Sequence, residues 1–281
     1  GSTLVSFQTG AGVAAGLAIL AAVAAARLGS RVAMVDRLGT DMAADRIRED
    51  FENHGVEQHL LTTETEGTSS TANILVHGTT ADRAIIFHPG SASLIEPPPV
   101  PESEIAASRI LHLNGRHWAT AFQAARQCRA HGTLVSFDGG SNRPRSKMKE
   151  LLPYVDIAIV TDEFASHFAG PENEPASTFF SFGLQVLVIT RGAAGSDVFL
   201  PPGDSPHHQP AYPASPLIDT TGCGDAYHGA FLSGIAAGKT VQQSAVAASA
   251  CAALNATGLG GRANLPDRPV FERFLREMKK N

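Results

Sequence analysis

Apolar positions along this chain fall into short runs separated by longer stretches with helical spacing. The runs 31–36 (RVAMVD), 109–115 (RILHLNG), 132–140 (GTLVSFDGG), 154–161 (YVDIAIVT) and 184–192 (LQVLVITRG) are short, mainly apolar and rich in β-branched residues. Each gives way to Gly, Asp, Asn or Thr, as buried strands do. Between them, 12–29 (GVAAGLAILAAVAAARLG), 41–55 (DMAADRIREDFENHG) and 117–132 (HWATAFQAARQCRAHG) predict helices that stop at glycine. Strand and helix in alternation predict an α/β fold, a mostly parallel sheet flanked by helices. The stretch 71–88 (TANILVHGTTADRAIIFH) breaks the pattern, because two strand-like runs around a Gly-Thr-Thr turn predict a hairpin standing off the sheet. Residues 1–281 read as a single domain, with 96–103 (EPPPVPES) as an internal linker and 3–9 as a candidate addition to the hairpin.

Composition narrows the function classes. With 43% hydrophobic and 17% charged residues, the 281-residue chain can bury a sizeable core. Its net charge is −5 and its basic residues are scattered, so a nucleic-acid partner is not expected. The cluster at 143–149 (RPRSKMK) reads as a solvated helix start. The 12–29 run is too short and too rich in Ala and Gly to span a bilayer, and no basic residue precedes it as in a signal peptide. Cys128, Cys223 and Cys251 are odd in number and far apart, which predicts free thiols and a cytoplasmic location. None of the eleven histidines shows a metal-ligand spacing, and the pairs His112/His117 and His207/His208 read as surface or loop residues.

The chemistry concentrates in 219–231 (DTTGCGDAYHGAF). Gly222, Cys223 and Gly224 lead into Asp225, which is read as opening a helix over 225–238. Backbone N–H groups at a helix start bind anions, and glycines let an oxyanion come close. A carboxylate beside that positive end stays ionised and can take a proton. An anion cradle next to a base is what phosphoryl transfer to a hydroxyl requires. A plain helix cap would account for one glycine, not three. Ligands of open parallel sheets bind at the carboxyl ends of the strands. That makes Asn114, Asp138, Thr161, Asp162, Glu163 and Thr190 site candidates, with helix capping as the alternative for each.

The same stretch resembles the C-terminal signature of the PfkB (ribokinase-like) carbohydrate kinases, with Cys223 where alanine is usual. VLVITRGAAG (186–195) is similar to the family's strand and turn near the ATP phosphates, and ALNATGLGGRANLP (253–266) to its stretch along the nucleotide. TADRAIIFHPGSASL (80–94) resembles the lid-side segment whose arginine, here Arg83, reaches the substrate. HLNGR (112–116) resembles a ketohexokinase motif, with Asn114 where an acid contacts the sugar. The resemblance covers residues 10 to 275. It implies a ribokinase-like three-layer sandwich with a small β lid, and an ATP-dependent sugar kinase using Mg2+. It implies Asp225 as base and Gly222, Cys223 and Gly224 as anion hole. Thr190, Gly192, Gly195, Thr220, Thr221, Asn255 and Gly258 would lie at the nucleotide; Arg83, Asn114, Gly10, Gly12 and Asp138 at the sugar. Carbonyls of the 219–221 and 258–264 loops can hold K+ in the family, and a homodimer through the lid is an option.

Three departures stand out. The opening GSTLVSFQTG is read as lacking the family's first strand and first lid strands. GAGVAAG (10–16) replaces a motif whose asparagine binds sugar hydroxyls, and TDEF (161–164) replaces an Asn-x-x-Glu that organises magnesium, leaving Asp162 and Glu163 out of register as metal candidates. The competing readings are a nucleotide-binding relative with little activity and a nucleoside kinase of the same family. A dinucleotide-binding dehydrogenase is the third, but GAGVAAG is one residue longer than its glycine fingerprint.

Overall fold

The structure is a computed structural model that describes residues 3–7, 17–76, 83–140, 146–202 and 205–278. The chain runs β1 (Thr3–Phe7), α1 (Leu17–Arg27), β2 (Arg31–Leu38), α2 (Met42–His54), β3 (Val56–Glu57), β4 (Leu61–Thr63), then the pair β5 (Thr71–Val76) and β6 (Arg83–His88). It continues through α3 (Glu102–Ala107), β7 (Ile110–Leu113), α4 (Trp118–His131), β8 (Leu134–Asp138), α5 (Ser146–Leu151), β9 (Ile157–Thr161), α6 (Asp162–Ala169) and α7 (Pro175–Phe180). Last come β10 (Val186–Thr190), β11 (Ser196–Phe199), β12 (His207–Gln209), α8 (Cys223–Ala236), α9 (Val241–Asn255) and α10 (Arg268–Met278).

Among the described residues, ten strands form one sheet in the order β12-β11-β10-β9-β8-β7-β1-β2-β3, with β4 also on β2. From β10 to β3 all pairings are parallel; β11 and β12 close the far edge antiparallel. The pleat sends successive side chains to opposite faces, so each strand serves two cores. Ile157, Ile159, Val186 and Val188 point toward α1, α8 and α9. Their neighbours Ala158, Val160, Leu187 and Ile189 join α4, α6 and α7 on the other side. Three layers follow directly from that alternation.

Several expectations shift. The strand Thr3–Phe7 sits in the middle of the sheet between β2 and β7, so these five residues belong to the main sheet and do not extend the hairpin. Its apolar, β-branched content suits a position flanked on both sides. Residues 8–16, with Gly10 and Gly12, lie outside the described residues. The hairpin β5–β6 stands as its own two-stranded sheet, with Thr71 opposite His88 and Val76 opposite Arg83. The side chain of Arg83 lies outside the described residues. Helix α8 begins at Cys223, two residues earlier than read, because Gly222 turns the chain with φ 72° and ends the preceding loop. Among the described residues, no helix is long and apolar enough to cross a membrane.

The helices that carry the site pack unusually close, and small residues permit it. A Cβ on Gly229 of α8 would lie 2.3 Å from the Ala21 carbonyl oxygen of α1. One on Gly234 would lie 2.5 Å from Ser244 Oγ of α9. Arg109 closes the other end of α8, donating to the Ala236 carbonyl at 3.0 Å. Gly229→Ala is therefore expected to destabilise by about 1–3 kcal/mol, the cost of forcing helices apart exceeding the gain in helix propensity. Urea unfolding midpoints of the two proteins measure this.

Candidate active site

The carboxyl ends of the parallel strands share one edge of the sheet, and α8 starts over it. His228, one turn into α8, places its ring 5.5 Å from that of His112 on β7 and its Nε2 3.9 Å from Asp138 Oδ1 at the end of β8. Asp225 lies three residues before His228, on the same helix face. It is 2% exposed, in the first turn of α8.

The turn before Asp225 is held by one carboxylate. Asp219, itself 1% exposed, accepts from the Thr221 N–H through Oδ1 (2.8 Å) and from the Gly260 N–H through Oδ2 (2.9 Å). The Ile218 and Asp219 N–H groups donate to the Ala256 carbonyl, and Asn255 Nδ2 donates to the Thr221 carbonyl at 2.9 Å. Gly222 fits because its Cβ would come within 2.5 Å of the Gly261 carbonyl. At Gly224, by contrast, a Cβ would meet no atom within 4 Å. The start of α8 thus faces open space while its flank is packed against the 255–261 loop. Backbone N–H groups at a helix start that is bare on its outer side can meet an anion. The Cys223 N–H reaches back to the Thr220 carbonyl at 3.3 Å, a long bond.

The remaining sequence candidates separate into groups. Thr190 ends β10, its Oγ1 donating to the Val160 carbonyl at 3.3 Å. Gly192 and Gly195 shape the next turn with φ 56° and 92°. Only glycine fits at 195, where a Cβ would lie 2.2 Å from the Gln209 carbonyl. Asp162 and Glu163 begin α6 beside this turn; Asp162 is engaged with Arg191, which also binds Asp197 at 2.9 Å. Asn255 is fully buried, and its side-chain amide holds the turn through the Thr221 carbonyl. Gly258 packs against Asn264. Asn114, just past β7, accepts from the Arg116 N–H at 3.3 Å. The Arg116 guanidinium lies 5.1 Å from the centre of the Phe87 ring, joining this loop to the hairpin.

Two histidines read as surface residues are buried. His112 is 1% exposed and His117 7%. His117 Nε2 meets Asp36 Oδ1 at 3.0 Å, linking the start of α4 to β2. Asp36 looked like the polar end of a strand, and no spacing tied it to His117, which is 81 residues away. His228 was also missed, although its place three residues after Asp225 put it on that acid's face.

Burial pushes the Asp36 carboxyl up to about 6, against the opposing pull of His117. A raised carboxyl pKa means that stability from this group is full below its ordinary 3.8 and lost as pH rises through about 6. Between pH ~4.5 and ~7 the wild type should therefore lose on the order of 2 kcal/mol relative to Asp36→Asn. Urea unfolding of both proteins at the two pH values checks the difference.

Comparison with known proteins adds an independent line. Residues 3–268 match the family model described as pfkB family carbohydrate kinase. The chain is similar to an ATP-dependent ribose-1-phosphate kinase of Halopiger xanaduensis, 26% identical over 96% of this chain and 88% of that protein. It is similar to a ribokinase of Bacillus subtilis, 26% identical over 96% of this chain and 89% of that one. In fold it is similar to Arabidopsis thaliana ribokinase complexed with ribose and ATP, with a TM-score of 0.85 at 22% identity, covering 98% of each chain. A putative ribokinase II from E. coli in complex with ATP and Mg2+ gives 0.84 at 18% identity, covering 98% of this chain and 99% of that one.

Proposed function

Because the chain belongs to the pfkB family of carbohydrate kinases, we propose that Asp225 is its base, taking the proton from an acceptor hydroxyl as a phosphoryl group is transferred. The chain is an ATP-dependent phosphotransferase acting on a small carbohydrate, with Mg2+. When bound, Mg2+ neutralises charge on the nucleotide's phosphates. The chain's own residues then have three tasks.

The first is to grip the transferring group. The backbone of Gly222, Cys223 and Gly224 lies at the positive end of α8, with open space in front of Gly224. Charge developing on the phosphoryl oxygens is stabilised there without reorganisation. The second is to hold the nucleotide, for which Thr190, Gly192 and Gly195 offer a backbone turn at the end of β10, and Thr220, Thr221 and Gly258 the loops beside α8. Asn255 supports this second group through the Thr221 carbonyl. The buried Thr221 Oγ1 and Asn255 Oδ1 have no hydrogen-bond partner among the described residues, which suits a K+ held by these loops. Glu163, at the start of α6, is the better magnesium candidate, since Asp162 is occupied by Arg191.

The third task is to present the acceptor. Asp138 and Asn114, at neighbouring strand ends near α8, are polar groups suited to sugar hydroxyls, with Arg83, Gly10 and Gly12 as further candidates. The observation that carries the reading is a buried acid in the first turn of a helix whose entry is glycine and whose front is open. Against the dehydrogenase alternative stands the family match itself.

An ADP-release assay over a panel of sugars and nucleosides tests the assignment. Asp225→Asn should lower kcat by about 10²–10⁴-fold, the usual worth of a positioned base. The thermal shift produced by ATP with Mg2+ should persist. Turnover equal to wild type would remove Asp225 from the role.

The hairpin supplies a partner surface. Ile74, Val76, Ile85 and Phe87 share one of its faces, where Arg116 lies over Phe87. The opposite face carries Leu75 and Ile86, 60% and 61% exposed. Apolar residues so open on a sheet of two strands suit a second copy of the chain packing against them. Sedimentation should show a dimer that Ile86→Asp converts to monomer.

A further inference from the structure

We propose that His112, Asp138 and His228 form a binding site for a borderline divalent transition metal, of the chemistry of Zn2+ or Co2+, one helical turn beyond Asp225. The proposal stands on these three side chains alone and does not depend on the role given to Asp225; it gives Asp138 to the metal in place of the sugar contact. They come from β7, β8 and α8, and each offers one ligand atom such that all three lie within 4.8 Å of one another. Around a tetrahedral metal with bonds of about 2.0–2.2 Å, ligand atoms sit about 3.3–3.6 Å apart. The His228 Nε2 to Asp138 Oδ1 separation is 3.9 Å, so small side-chain movements would close the set.

The imidazoles are prepared for ligation in two ways. His112 Nδ1 is engaged by Ser136 Oγ at 3.2 Å, which fixes the ring and leaves Nε2 buried with no hydrogen-bond partner among the described residues. His228 faces Asp138 through its Nε2, the atom that would bind the metal. A buried nitrogen without a partner is costly unless something satisfies it, so His112 Nε2 calls for a ligand. Burial, with His228 beside it, also holds His112 well below the usual imidazole range; burial lowers His228 against the pull of Asp138. In both rings burial favours the uncharged imidazole, the form that can bind a metal.

The rest of the shell agrees. The Gly140 N–H donates to Asp138 Oδ1 at 2.6 Å and orients the carboxylate, as outer partners of metal ligands do. Two imidazoles and one carboxylate select zinc-like cations, whereas Mg2+ prefers an all-oxygen octahedron and is not expected here. All three are buried, at 1%, 7% and 6% exposure, so an ion held here would be shielded from bulk water. Occupancy would tie α8 to the ends of β7 and β8.

The test is titration of the metal-free full chain with CoCl2, followed by visible absorption. About one Co2+ per chain should give the bands of a low-coordinate site, which Zn2+ displaces and excess Mg2+ leaves unchanged. His112→Gln and His228→Asn should each weaken Co2+ binding by more than about tenfold, and Ser136→Ala by about tenfold through loss of the outer partner. Far-UV circular dichroism confirms that each variant is folded; if His112→Gln is not, the other two carry the test. Zn2+ should raise the Tm of the wild type but not of His228→Asn. Absence of the bands in the wild type overturns the site. So does Co2+ affinity unchanged in His228→Asn, which would move the metal to exposed histidines such as His207 and His208.

Discussion

The active end of this molecule depends on what a single buried carboxylate does to the backbone. Asp219 binds one N–H on its own loop and one on the loop after α9, so two segments otherwise free of regular structure become one rigid wall. Each bond lies out of water, where hydrogen bonds are strongest. The first turn of α8 is aimed by that wall. Gly222 can adopt its left-handed conformation against Gly261 because nothing larger would fit, and the proposed base follows three residues later.

Packing beneath the wall follows the same logic. Helix α8 is buried on nearly every side, with Ala226, Ala230, Phe231 and Leu232 at 0–1% exposure. A helix surrounded in this way has no polar face to give up, so its neighbours must approach through small residues instead. Alanines on α1 and α9, together with Gly229 and Gly234, supply that closeness. The alanine-rich stretch of α1, whose sequence has the outline of a membrane or signal segment, is explained by it. Close helix–helix contact inside a three-layer core needs the same small side chains.

Much of this was legible in the sequence because the signals were local. Strand runs ending in Asp, Asn or Thr marked one edge of a parallel sheet, and the glycines around Asp225 marked a helix start with a carboxylate beside it. What could not be read was long-range. Asp36 and His117 are partners across two elements, and His112, Asp138 and His228 come from three, so no interval along the chain links them. The histidines read as surface residues because side-chain type says little about exposure once a ring nitrogen finds a partner. The place of Thr3–Phe7 was misjudged for a related reason. A short apolar strand carries no mark of which neighbours it will have, and only the register with Arg31–Val35 and Ile110–His112 decides it.

Phe87 and Arg116 have a mechanical meaning that neither residue suggests alone. The hairpin meets the body of the molecule through a flat cation resting on an aromatic ring, two residues beyond Asn114. That contact places the hairpin and the loop holding Asn114 in one connected unit, so a substitution at Phe87 would be felt at the neighbouring strand end as well as in the hairpin.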